Sequence, residues 1–153
     1  MTATKWQDGP VALSTNTQFA VAVHVLTYLA GISDGRAVSS DELSKSANVN
    51  PVYVRRVLGP LRTAGLVRSR PGVGGGWHIV GEATRITLDQ IWRPLQGTDP
   101  VLGIHGPDPS CATGRRVQMA LTELDHVVGD AVQASLRTFS LNDVLNGLPQ
   151  ALP

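Results

Sequence analysis

The chain has a single cysteine, Cys111, among 153 residues. One thiol excludes an intrachain disulfide and any all-cysteine metal site within one chain, so a reducing cytoplasm is the expected compartment. Charge is scarce: 16% of residues are Asp, Glu, Lys or Arg, against roughly 25% in an average soluble protein. Aromatic residues are also few, at 5%. No apolar run approaches the roughly 18 residues that a membrane span requires, so no membrane partner is expected. The N-terminal MTATKWQDGP lacks a charged segment followed by an apolar stretch, and no secretion signal is expected there. What is present, 42% hydrophobic residues, suffices for a real core and excludes a disordered tail or a collagen-like chain.

The most informative absence is local. Between Leu43 and Gly81 there is no acidic residue, while Lys45, Arg55, Arg56, Arg62, Arg68 and Arg70 all fall there. The net charge of +1 hides this block. A cationic field confined to one segment of a nearly neutral protein points to a polyanion that meets that segment.

The pattern around the block is helical. Thr17 to Ala30 reads as a helix apolar nearly all round and therefore buried, capped by Thr15 or Asn16 and stopped at Gly31. His24 within it is expected to be a satisfied core or interface histidine, and Trp6, Trp77 and Trp92 packing residues. Ser39 and Glu42 have the spacing of a capping box for a short helix through Ala47. After the turn Asn48-Val49-Asn50, Asn50 caps a second helix, Val52 to Ala64, with Pro51 in its first turn and Gly65 as its stop. Pro60 predicts a kink near Arg56, whose carbonyl loses its partner. Leu66–Arg70 and Trp77–Val80 read as strands joined by the glycine-rich tip Pro71–Gly76. Thr87 caps a helix through Leu95, and a loop of Gly and Pro runs from Gly97 to Ser110. The longest helical pattern follows, from about Cys111 or Thr113 to Leu136, and Ser140 and Asp143 box a last short helix.

Helix, short capped helix, tight turn, arginine-bearing helix and glycine-tipped hairpin are the parts of a winged helix-turn-helix. The fold class expected is mainly α with a small β-hairpin. The domain boundaries expected are 12–82 for the winged helix and 83–153 for a helical dimerisation and sensing region. In such a motif the first helix crosses the phosphate backbone and the second enters the major groove. Arginine suits a bidentate contact with guanine, and Tyr or Asn suits a phosphate or an adenine edge. The expected DNA contacts are Ser39, Asn50, Val52, Tyr53, Arg55, Arg56 and Arg62, then Arg68 and Arg70 with Gly72, Gly74 and Gly75 of the hairpin. Glycine at that tip permits close approach to a neighbouring backbone. A nucleotide-binding glycine loop would require a helix after the glycines, where Trp77-His78-Ile79-Val80 reads as a strand.

The run from Asn50 to Arg62, then Ala64-Gly65-Leu66-Val67, Pro71-Gly72 and Gly74-Gly75-Gly76-Trp77, resembles the Rrf-two family of bacterial winged-helix transcription regulators. That family includes the iron–sulfur cluster regulator and the nitric-oxide-sensing repressor. The resemblance spans roughly Thr17 to Leu136. It implies a homodimer built on the long C-terminal helix, a ligand or cluster site near that helix's start, and a DNA face made by Val52, Tyr53, Arg55, Arg56 and the hairpin. Val117, Leu121, Leu124 and Val128 are the expected dimer contacts, on an apolar stripe broader than one small domain needs to cover.

The chain departs from that family's best-known members in the loop before the long helix. They hold three cysteines there; here the loop reads His105-Gly106-Pro107-Asp108-Pro109-Ser110-Cys111. No metal and no cofactor are therefore expected. Cys111 at a helix start, with Arg115 and Arg116 close in sequence, is expected to favour the thiolate; two roles are open to it, a redox sensor or a small residue that packs the loop. The reading is a DNA-binding transcriptional regulator without enzymatic activity: a homodimeric repressor of a palindromic operator that responds to thiol oxidation or a small ligand. The alternative is a winged-helix protein-interaction module, which has no need of an arginine face free of acids.

Overall fold

A computed structural model describes residues 15–148. Trp6 and the first residues of the expected 12–82 unit lie outside them. The elements are α1 (Thr15–Ala30), α2 (Ser40–Ala47), α3 (Pro51–Thr63), β1 (Val67–Arg70), β2 (Gly76–Ile79), α4 (Leu88–Gln96), α5 (Ala112–Arg137) and α6 (Leu141–Leu145). This is the winged helix-turn-helix order with a long helix appended.

The first helix is the hub. Val21, Ala22, Val25, Leu26 and Leu29 of α1 are buried among Leu43 of α2, Val54, Val57, Leu58 and Leu61 of α3, Ile91 and Leu95 of α4, and Leu141 of α6. Thr15 and Asn16 already lie within the helix. The helix is not buried all round, because Ala20 and His24 are exposed. His24 is instead tied at the surface, with its Nε2 2.9 Å from the Ser46 hydroxyl of α2.

Local chemistry fixes how α2 and α3 are set. The Ser39 hydroxyl accepts from the Glu42 N–H at 3.1 Å, so half of the expected capping box forms. The other half does not. The Glu42 carboxylate is taken by Arg36, which donates to both its oxygens at 2.9 and 2.7 Å, and by the Tyr28 hydroxyl at 2.7 Å. A bidentate guanidinium outcompetes a backbone N–H for a carboxylate. These bonds, Arg36 first, hold the Glu42 carboxyl down to about 2 and tie α2 to α1. Asn48 then takes the left-handed conformation, at φ 52°, that turns the chain toward α3. The third helix runs unbroken through Pro60 to Thr63.

The hairpin register pairs Val67 with Ile79, Arg68 with His78, Ser69 with Trp77 and Arg70 with Gly76. Trp77 also bridges back to Val38, ahead of α2, through N–H···O bonds of 2.8 and 3.0 Å. Its indole N–H donates to the Ser40 hydroxyl at 3.0 Å. Nothing in the local pattern of Val38 announces this third pairing.

The expected boundary between residues 82 and 83 does not separate two cores. Ile86, Leu88, Ile91, Leu95 and Leu141 lie in the same core as α1 to α3. The chain leaves that core in α5 and returns through backbone bonds from Leu88 to Phe139 and from Leu141 to Ile86, each 2.9 Å. Only α5 stands apart: none of its 26 residues is buried. At ~1.5 Å per residue it is about 39 Å long, and its packing partner is α4. The buried Asp89 of α4, a residue to which no local sequence motif points, anchors its far end. Burial alone would raise that carboxyl, but the Thr87 hydroxyl, Arg137 of α5 and Arg93 outweigh it and hold the pKa low.

Candidate nucleic-acid interface

The N-terminal half of α3 presents Val52, Arg55 and Arg56 outward. Val52 is 57% exposed, and Arg55 and Arg56 are exposed beside it. Asn50 is spent on the cap: its Oδ1 accepts from the N–H groups of Val52 at 2.8 Å and Tyr53 at 3.2 Å, so the expected adenine contact would compete with the helix itself. Tyr53 is turned inward. It packs against the core, and its hydroxyl is buried without a hydrogen-bond partner; that burial pushes the phenol pKa up against the pull of Arg56. A phosphate contact from Tyr53 would require the ring to swing out. Ser39 is exposed but engaged as the cap of α2.

Arg62 also serves the frame. It donates to the Ser69 hydroxyl at 3.2 Å and so fastens the end of α3 to the first strand of the wing. The tip glycines divide into two kinds. Gly72 and Gly74 adopt φ of 87° and 75° with open space around them, as a tip poised for close approach requires. Gly75 is needed by the hairpin itself, since a Cβ there would run into the backbone carbonyls of Arg70 and Pro71.

Between wing and helices lies a groove of about 420 Å³, lined by Ser40, Asp41, Arg55, Arg70, Gly72 and Gly75. The arginines of this face have no acidic partners among the described residues. Arg36, Arg85, Arg93 and Arg137 make ion pairs with acids there, whereas Arg55, Arg56, Arg68 and Arg70 make none. Four unneutralised guanidinium groups on α3 and the wing form a surface that a polyphosphate would neutralise.

The family model Rrf2, described as iron-dependent transcriptional regulator, matches residues 15–147. The chain belongs to the Rrf2 family. It is a DNA-binding transcriptional regulator of the helix-turn-helix class. YwnA of Bacillus subtilis (strain 168), which carries the name of an HTH-type transcriptional regulator, is 35% identical over 134 residues, covering 87% of this chain and 98% of YwnA. A crystal structure of a transcriptional regulator from Lactobacillus plantarum is similar with a TM-score of 0.71 at 26% identity, covering 86% of this chain and 89% of that one. CymR (YrzC), the global cysteine regulator of B. subtilis, is similar with a TM-score of 0.60 at 25% identity, over 87% of this chain and 96% of CymR.

The iron that the Rrf2 description names finds no suitable donor set among the described residues. Among the described residues no three His, Cys, Asp or Glu side chains come together as metal ligands. Cys111 is exposed and caps α5, its sulfur accepting the Gly114 N–H at 3.4 Å. Asp108 is occupied by Ser110, whose backbone N–H and hydroxyl donate to it and lower its pKa. Arg115 donates to the Pro109 carbonyl at 2.7 Å. Thus the loop before α5 is closed by its own hydrogen bonds. No helix among the described residues is long and apolar enough to cross a membrane.

The expected dimer residues separate on α5. Val117 and Leu124 are 41% and 47% exposed, whereas Leu121 and Val128 are half-buried, on the face of α5 where Asp125 accepts the Leu102 N–H. Val127, at 65% exposed, belongs with the outward set. Its i, i+3 relation to Leu124 is visible in the sequence once the outward face is known.

Proposed function

We propose that this Rrf2 regulator acts in the cytoplasm as a homodimeric repressor that reads a palindromic operator, with no catalytic activity of its own. The observation that carries the DNA face is the cluster of Arg55, Arg56, Arg68 and Arg70, none with an acidic partner among the described residues, on α3 and the wing. Arg55 and Arg56 read base edges, while Arg68 and Arg70 hold phosphates beside the glycine tip. Val117, Leu124 and Val127 of α5 meet their copies across a two-fold axis, setting two recognition helices on successive half-sites. Arg55→Ala and Arg56→Ala should each weaken binding to a selected operator by roughly 1–3 kcal/mol, with little effect on an unselected duplex. Fluorescence anisotropy on both duplexes checks this. Equal losses on both would make these arginines phosphate contacts and return base reading to other residues.

Cys111 is the residue through which an oxidant would act, and its exposure at the start of the dimerisation helix supports that reading. Oxidation by hydrogen peroxide to the sulfenic acid, with release of water, would alter the cap of α5 and hence the spacing of the two DNA-reading heads. Condensation of that sulfenic acid with a small thiol, releasing a second water and leaving a mixed disulfide, would do the same. Cys111→Ser should bind DNA as the wild type does and ignore peroxide. A wild-type protein whose operator affinity is unmoved by peroxide would assign the signal to a small ligand instead.

A further inference from the structure

The cationic surface extends onto the outer face of the wing. The antiparallel register sets Arg68 directly across from His78 and Arg70 across from Gly76. Strand alternation therefore places Arg68, Arg70 and His78 on one side of the hairpin, while Val67 and Trp77 point to the core on the other. That side lines a groove of about 460 Å³ with Gly35 and Ser69. Arg70 also lines the groove beside α3, so the positive surface is continuous around the edge of the wing.

Charges around His78 can be counted element by element. Across the hairpin stand Arg68 and Arg70, neither of which has an acidic partner among the described residues. From the turn between α1 and α2 comes Arg36, whose charge is already met by Glu42 and Asp34. The remaining lining, from Leu29, Ile32, Trp77 and Ile79, is uncharged, and no acid lines either groove on this side. A protonated imidazole directly opposite a guanidinium is destabilising unless an anion joins them. Nothing among the described residues supplies that anion, and the surface runs on from the recognition groove.

We propose that the outer face of the wing, Arg68, Arg70 and His78, holds DNA backbone phosphates outside the reach of the recognition helix, and that protonation of His78 strengthens the grip. This rests on the DNA-binding reading and adds to it a pH dependence. Histidine is the side chain that ordinarily changes charge between pH 5 and 8, so it is the one cation of the cluster that mild alkali can remove. A phosphate between imidazole and guanidinium favours the protonated ring; binding then takes up protons, and affinity rises as pH falls.

Two duplexes test this: an operator selected by the wild-type protein from random-sequence DNA, and an unselected duplex of equal length. For wild type, affinity for both should rise from pH 8 to pH 6, by up to tenfold per unit for each linked proton. H78Q should lose this rise and keep its pH 8 affinity throughout. H78R, a permanent cation, should bind tightly at both pH values, which separates charge from damage to the hairpin. R68A should lower the slope of log affinity against log salt by about 0.9 for each phosphate it no longer neutralises, equally on both duplexes. His24, His105 and His126 lie outside the wing and are intact in every variant. Wild-type pH response and salt slope in H78Q and R68A would overturn the outer-face site, and selective loss in R55A would show that the DNA-binding reading survives it. A wild-type protein that binds neither duplex would overturn both.

Discussion

Leu124→Asp should turn the protein into monomers in sedimentation and remove high-affinity operator binding in the same step. Leu124 lies in the outward stripe Val117, Ala120, Leu124, Val127 and Ala131, whose i, i+3, i+4 spacing keeps one face of α5 free of charge for about 21 Å. A stripe of that length on a helix with no buried residue is apolar surface awaiting a partner. A carboxylate at its centre would face its own copy across a two-fold axis and would have to be desolvated there. With the dimer gone, the second half-site is no longer bound intramolecularly. Affinity should then fall by on the order of 10²–10⁴. The inward positions give a contrast: Leu121→Ala and Val128→Ala should lower the melting temperature by loosening the packing of α5, with operator binding retained once the protein is folded. A wild-type monomer that binds its operator specifically would remove α5 from the assembly altogether.

Gly76→Ala should detach the wing. Gly76 sits at φ 146°, where a side chain is strained, and an added Cβ would lie 2.5 Å from the carbonyl oxygen and 2.7 Å from the carbonyl carbon of Val38. Both are backbone atoms that cannot swing aside, so the bridge between Val38 and Trp77 must open. Trp77 would then lose its register and its bond to Ser40. The cost should be at least the roughly 1–3 kcal/mol typical of overpacking, and DNA affinity should fall with it because the wing arginines lose their frame. Native-state hydrogen exchange reads the event directly: the Val38 and Trp77 amides should lose protection while those of Val25 and Leu26 keep theirs. Unchanged protection at Val38 and Trp77 would show that the hairpin tolerates the side chain.

Much of the molecule is legible in the order of its residues. The caps at Asn50 and Ser140, the stripe Val54, Val57, Leu58 and Leu61 and the glycine-tipped hairpin follow from short-range rules, and the structure contains each of them. The acid-free block from Leu43 to Gly81 likewise announces a polyanion face without any coordinates. Side-chain roles inside that face were less legible. Asn50 and Tyr53 have the chemistry of DNA contacts, yet one is consumed by a cap and the other by the core, because burial and backbone satisfaction claim a polar group before a ligand can.

Every element whose cause lies within a few residues is thus written in the chain, together with a charge asymmetry that survives any folding. Long-range packing settled the rest: which carboxylate Arg36 takes from its capping box, that Val38 joins the wing, and that Ala83 to Gln96 and α6 close the same core as α1. It also divided one apolar stripe of α5 into a half-buried side and a side left open. These outcomes depend on residues far apart in the chain. Periodicity reports that a face is apolar, but what covers it is set only when another element arrives within van der Waals reach.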